Sequence, residues 1–223
     1  MNLPGENFIG IYSANEYLTR TNLMKGYLFP EYDTPIARGK NVVVLGAGNV
    51  AMDSARTAMR LGADTVKIVY RRSREEMPAR AEELHHAEQE KIEFVLLTNP
   101  IRFFGDASGR LKGMECLKME LGEPDASGRR RPVPIEGSEF TIDCDLVVVS
   151  VGSNANPLLT NSTPDIALTR WGNIIGDPVT GKTSKRGVWA GGDIVTGAAT
   201  VILAMGAGRA AANSMHDYLT LGW

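Results

Sequence analysis

The residues with the clearest chemical meaning are two glycines and an alanine. Gly46-Ala47-Gly48-Asn49-Val50-Ala51 has the spacing G-x-G-x-x-A. Gly46 permits a tight turn, Gly48 lets a diphosphate approach the backbone, and Ala51 lets a helix pack closely on a strand. A helix starting there would offer free N–H groups and a partial positive charge to the phosphates. Such a motif is weak alone. It carries weight only between a strand and a helix.

A second pair of residues bears on which dinucleotide would fit. Val69-Tyr70-Arg71-Arg72-Ser73-Arg74 follows a short apolar run. An acidic residue at that strand end would accept the ribose hydroxyls of NAD, whereas a basic one would receive the 2′-phosphate of NADP. No carboxylate stands there, and the planar fork of arginine suits a phosphate dianion. Arg71 and Arg72 are therefore the expected 2′-phosphate ligands, and NADP(H) the expected nucleotide.

Other patterns carry less. Gly176-Asp-Pro-Val-Thr-Gly181-Lys182-Thr183 matches G-x-x-x-x-G-K-T, but a turn and an apolar strand follow it instead of the helix that a P-loop needs. Arg129-Arg130-Arg131 reads as a solvated run in a hairpin turn. His85 and His86 lack third and fourth partners for a metal. Cys116 and Cys144 form no C-x-x-C pair and are too few for an iron–sulfur cluster. No residue is nominated as a general acid, base or nucleophile.

The elements that would position these residues follow from pattern. Asn41–Leu45 is a β-branched run between glycines, read as a buried parallel strand. A helix follows over about 49–61, with Ala51, Ala55, Ala58 and Met59 on one face and Gly62 as its stop. Residues 65–70 form a second strand, Pro78 opens a second helix, and residues 92–97 form a third strand. That is β-α-β-α-β, half of a doubly wound sheet. Beyond Pro100, strands over 101–104, 111–121 and 133–142 read as an antiparallel meander. Residues 145–150 form another buried strand and 187–190 a short one. A last helix runs from Thr200 to about Tyr218. Ser13-Ala-Asn-Glu16 is a capping box opening a short early helix.

These readings give an α/β fold: a Rossmann-like three-layer dinucleotide-binding domain with an antiparallel β-meander. Boundaries near Gly39 and Asp145 make residues 39–144 that domain, inserted into an outer one made of residues 1–38 and 145–223. Apolar residues are 43%, charged residues 22%, and net charge is −2 over 223 residues. That balance favours neither nucleic acid nor an anionic membrane. No apolar run matches a bilayer span, and the start shows no secretory signal. A cytoplasmic location is expected.

Leu3-Pro-Gly5, Ile11-Tyr-Ser13, Gly39-Lys-Asn-Val-Val-Val-Leu-Gly-Ala-Gly-Asn-Val-Ala-Met-Asp53, Tyr70-Arg-Arg-Ser-Arg-Glu-Glu-Met-Pro-Ala79 and Trp189-Ala-Gly-Gly-Asp193 form a coherent set. Through them the chain resembles the NADPH-dependent glutamate synthase small subunit family. The resemblance runs over nearly the whole chain. It implies a two-dinucleotide-binding flavoprotein fold that passes hydride from NADPH to FAD. By carry-over, Gly46, Gly48, Asn49 and Val50 hold the pyrophosphate of NADP(H), and Arg71 and Arg72 its 2′-phosphate. Gly152, Gly192, Asp193 and Thr200 belong to the flavin end of the FAD site, with the helix after Thr200 aimed at the flavin.

The family's iron–sulfur domain and first G-x-G-x-x-G unit have no counterpart in this sequence. The resemblance therefore implies a whole NADP(H) site and part of an FAD site. Expected partners are an iron–sulfur electron-transfer domain or the large glutamate synthase subunit, with a homodimer through the partial FAD domain as a further possibility. The competing expectation is a bare NADP(H)-binding module that catalyses nothing by itself.

Overall fold

In the computed structural model, residues 1–125, 128–152 and 154–222 are described. The chain divides into two compact units, Met1–Val151 and Gly152–Trp223. In the first, β1 (Ile11–Ser13) leads into α1 (Ala14–Leu18), followed by β2 (Asn41–Leu45), α2 (Asn49–Arg60), β3 (Thr65–Val69), α3 (Ala81–Gln89) and β4 (Glu93–Val95). Then come β5 (Thr98–Gly105), β6 (Leu111–Pro124), β7 (Arg130–Pro134), β8 (Phe140–Asp143) and β9 (Leu146–Val149).

Five of these strands form one parallel sheet in the order β1-β9-β2-β3-β4. A parallel sheet needs both faces covered, and the run Asn41-Val-Val-Val-Leu45 answers that need. Val42 and Val44 point to a core shared with Ala51, Met52, Ala55 and Ala58 of α2 and Leu84 and Ala87 of α3. Val43 and Leu45 point the other way, against Phe103, Leu111, Met114, Cys116 and Ile142 of the antiparallel strands. Helices, parallel sheet and meander are the three expected layers.

The boundaries expected at Gly39 and Asp145 differ from what the structure shows. Strand β9 is hydrogen-bonded on both edges, to β1 and to β2, so residues from both expected outer segments lie in the same sheet as the glycine motif. Both Asp145 carboxylate oxygens accept backbone N–H groups at the start of β2, from Lys40 at 3.0 Å and Asn41 at 2.9 Å. Val147 and Val148 are fully buried. Local pattern could not reveal these pairings, because β9 meets β2 across about a hundred residues of intervening chain.

Smaller differences have local causes. Met77 precedes Pro78 and is extended, so the second helix starts at Ala81 after a short 3-10 turn at Arg74–Glu76. The single strand read over 133–142 is two, β7 and β8, separated by a turn at Gly137 with φ +72°. Ser13 caps α1 as expected, its hydroxyl accepting the Glu16 N–H at 3.2 Å.

The second unit holds α4 (Pro157–Ser162), α5 (Asp193–Thr196) and α6 (Val201–Leu221). The strand read over 187–190 is reduced to a single bridge, Lys182 to Trp189. The G-K-T stretch closes as a hairpin, with Asp177 accepting from Val179 and Thr180 and a bridge joining Gly176 to Thr183. Among the described residues no helix is long and apolar enough to cross a membrane.

The pairing of β9 at both edges sets a stability expectation. Val148 lies between Tyr12 and Val44 and is fully buried. Val148→Ala should cost about 2 kcal/mol in urea unfolding of the full chain. A cost under about 0.5 kcal/mol, as for a surface position, would contradict its place in the core.

Candidate functional site: a glycine turn and a basic loop at the strand ends

The two glycines of the turn have different jobs. Gly46 sits at φ +121°, and a Cβ there would come within 2.3 Å of the Ser150 carbonyl oxygen. Its N–H donates to the Val69 carbonyl at 3.0 Å, which fixes the turn against β3. Gly48 is different. Its φ of −85° suits any residue, and a Cβ would meet only Pro78, at 3.9 Å. Among the described residues no close contact requires a glycine at 48, and a side chain there would have room beyond Pro78.

Gly48 is also the N-cap of α2, with no side-chain cap and no acidic residue in the first turn. The N–H groups of Gly48, Asn49 and Val50 donate to no backbone carbonyl among the described residues. Unpartnered N–H groups at a helix start, beside open space, are what a diphosphate requires. The strip Pro78–Arg80 borders that space, as the Ala79 N–H donates to the Ala47 carbonyl at 3.2 Å. The Arg80 N–H donates to the Asn49 side-chain oxygen at 2.9 Å. Asn49 thus serves the turn through its side chain, and the sequence reading did not place Pro78 or Arg80 beside it. The conjunction Met77-Pro78 was their one visible signal.

The loop after β3 separates the two expected phosphate ligands. Arg71 is exposed and makes no hydrogen bond or ion pair among the described residues. Arg72 is 5% exposed. Its Nε donates to the Arg130 carbonyl at 2.8 Å and its Nη2 to the Asp125 carboxylate at 2.6 Å. Arg71 is thus exposed, while Arg72, the other expected phosphate ligand, is engaged within the protein. Arg72's partners lie more than fifty residues away, beyond local reasoning. Arg74 pairs with Glu88 at 2.5 Å and lies over the Phe94 ring at 5.6 Å.

The run at 129–131 is also not the solvated turn that was expected. Arg130 donates to Glu75 and to Glu76, each at 2.6 Å. Glu76 is buried and accepts a very short hydrogen bond from Ser73. Those bonds, from Ser73 first and then Arg130, hold the Glu76 carboxyl below the usual carboxylate range. The complementary pair Glu75-Glu76 was the sequence signal for this contact.

The second unit has its own candidate residues. Gly192 has φ +79° and caps α5; a Cβ there would sit 3.3 Å from Ala204 of α6, and one at Gly191 3.0 Å from Ala207. These glycines let the chain cross α6 closely. Asp193 is exposed, and one carboxylate oxygen accepts the Ala199 N–H at 3.2 Å. Thr200 caps α6, accepting the Leu203 N–H at 3.4 Å. Gly152 has φ +93° and no neighbour within 4 Å of a built Cβ.

Both thiols are buried among apolar side chains, which pushes each up to about 12. Neither is a nucleophile at neutral pH.

A family model described as pyridine nucleotide-disulphide oxidoreductase matches residues 1–208. The chain belongs to the pyridine nucleotide-disulphide oxidoreductase family. It is similar to the Moorella thermoacetica protein named NADP(+)-dependent formate dehydrogenase subunit beta, 50% identical over 84% of this chain and 26% of that one. It is 42% identical to the Azospirillum brasilense glutamate synthase (NADPH) small chain, over 96% of this chain and 45% of that one. The chain thus spans about a quarter to a half of the length of these relatives. Among solved structures, Mycobacterium tuberculosis FprA in complex with NADPH superposes with a TM-score of 0.75 at 20% identity, covering 99% of this chain and 61% of that one. Thioredoxin reductase from T. acidophilum gives a TM-score of 0.72 at 20% identity, over 98% and 62%. The fold is the two-dinucleotide-binding flavoprotein fold.

Within this family member the two turn glycines should respond differently to substitution. Gly46→Ala combines a left-handed φ with a backbone clash, and should cost at least about 2 kcal/mol or abolish soluble expression. Gly48→Val should change thermal stability by less than about 1 kcal/mol. Equal destabilisation by the two would mean that Gly48 also serves internal packing.

Proposed function

We propose that this chain is the NADP(H)-binding part of an FAD-dependent oxidoreductase. The observation that carries the reading is the open space over Gly48. Beside it start the N–H groups of Gly48, Asn49 and Val50, and Arg71 stands exposed after the next strand, all without a hydrogen-bond partner among the described residues. The arrangement fits a dinucleotide diphosphate at Gly46–Val50 and a 2′-phosphate at Arg71. The relatives named for NADP(+) and NADPH support the same nucleotide.

The second unit fits one end of a flavin site. Asp193 presents an exposed carboxylate that can accept from a ribityl hydroxyl, near the capped start of α6 in sequence. Gly152, Gly192, Asp193 and Thr200 would contribute to that end. Bound together, the two cofactors supply the redox chemistry, a hydride passing from reduced nicotinamide to flavin. The chain's own residues bind and orient. Gly48 admits the diphosphate, the first turn of α2 holds it, and Arg71 selects the phosphorylated ribose.

Electrons would then leave for an iron–sulfur domain or partner subunit, as the names "subunit beta" and "small chain" of the relatives suggest. The large apolar residues exposed on α6, among them Ile202, Leu203 and Leu219, support packing against further protein. Glutamate synthesis is the overall reaction favoured by the small-chain relatives, with the formate dehydrogenase relative marking the alternative.

Calorimetric titration tests the reading. The chain should bind NADPH more tightly than NADH. Arg71→Ala should remove roughly 1.5–3 kcal/mol of NADPH binding, one charge-assisted contact, and leave NADH nearly unchanged. Gly48→Val should abolish binding of both. Equal affinities for the two nucleotides in the wild-type chain would contradict the assignment.

A further inference from the structure

The loop after β3 is held by something that the nucleotide reading does not use. Strand β6 outruns its partners on one side. Its pairing with β5 and β8 ends by Lys118, while Met119–Pro124 pairs only with β7. Those two arms form a two-stranded ribbon, which has little stability alone. A backbone relay joins it to the loop after β3, since the Met119 N–H donates to the Leu97 carbonyl at 2.7 Å and the Leu97 N–H to the Arg72 carbonyl; the side-chain ties come from two arginines. Arg72 binds Asp125 and the Arg130 carbonyl, and Arg130 binds Glu75 and Glu76. One arginine from each partner thus reaches the other, Arg72 buried and Arg130 half-exposed.

Backbone bonds outside the ribbon hold the residues on either side of Arg71, and the arginine contacts add to them. The Tyr70 carbonyl accepts the Thr98 N–H at 3.0 Å, and the Arg72 carbonyl accepts the Leu97 N–H at 3.1 Å. The Tyr70 hydroxyl donates to the Glu76 carbonyl at 2.8 Å. With Arg72 turned inward and held at two atoms, its neighbour Arg71 is left facing solvent. The Arg72 guanidinium is already engaged by a carboxylate and a carbonyl, and only 6% of its side chain is exposed. A phosphate could reach it only if the ribbon left.

We propose that Arg72 is a positioning residue: with Asp125, Arg130, Glu75 and Glu76 it clamps the β6–β7 ribbon onto the loop after β3, and the clamp holds Arg71 where it selects a 2′-phosphate. This rests on the NADP(H) reading above. It assigns selectivity for the phosphorylated ribose to a second element, the ribbon, which itself touches no nucleotide. Nucleotide selectivity then depends on residues that a strand-end comparison would pass over.

Asp125→Asn is the deciding substitution, because the two roles for Arg72 give it opposite signs. If Arg72 positions, loosening its partner weakens NADPH binding about ten-fold and leaves NADH within about two-fold. If Arg72 is itself a phosphate ligand, releasing it from Asp125 leaves NADPH binding unchanged or strengthens it, which overturns the proposal. Arg130→Gln should act in the same direction as Asp125→Asn. Amide exchange of the full chain gives an arm independent of nucleotide. The Leu97 and Met77 amides, bonded to the Arg72 and Arg74 carbonyls, should exchange at least about ten-fold faster in Asp125→Asn. Unchanged exchange would show that no clamp exists. A wild-type chain without NADPH preference would instead refute the nucleotide reading, with the exchange arm still judging the clamp.

Discussion

The carbonyl oxygen of Ser150 occupies the place where a side chain at residue 46 would begin, and the rest of the first unit is arranged around that approach. Strand β9 ends beside the end of β2, so the chain leaving β2 has room only for backbone. Gly46 accepts the left-handed turn that this demands. The turn delivers the chain into α2 with its first N–H groups at the C-terminal end of the central strand, unpartnered among the described residues. The diphosphate site proposed here would thus follow from a close passage of two strands. The open space at Gly48 has meaning only because the neighbouring glycine is already spent on packing.

The layers on either side keep that passage rigid. Alternate residues of β2 enter two separate cores, one against the helices and one against the meander. The meander contributes more than cover. Its long strand β6 projects to the loop after β3, where buried and half-buried ion pairs tie the two. Breaking such a pair leaves a charge stranded with little water, which costs far more than a surface pair contributes. The first unit therefore couples its core-forming sheet, its glycine turn and the loop after β3 through a small set of contacts.

Much of this was legible in the sequence, for local reasons. The β2-turn-α2-β3 unit was readable because β-branched runs, glycine spacing and the alanine stripe 51-55-58 each act within a dozen residues. The meander was readable from its turns. What escaped were pairings between distant segments. Strand β1 and strand β9 join the central sheet through hydrogen bonds that no periodicity announces, so Asp145 looked like a boundary when it caps β2. Arg72 looked like the twin of Arg71 because type and adjacency cannot show which way a side chain turns. Residues 187–190 had strand composition, but pair only through Trp189.

The central claim is that a dinucleotide lies across the first turn of α2 with its 2′-phosphate on Arg71. A structure of the chain with bound NADP+ tests it most directly. The account predicts diphosphate oxygens within hydrogen-bonding distance of the N–H groups of Gly48, Asn49 or Val50. It also predicts the 2′-phosphate on Arg71, with Arg72 still paired to Asp125. Nucleotide bound away from the Gly46–Val50 turn, or Arg72 drawn out of the ribbon to meet the phosphate, would contradict it.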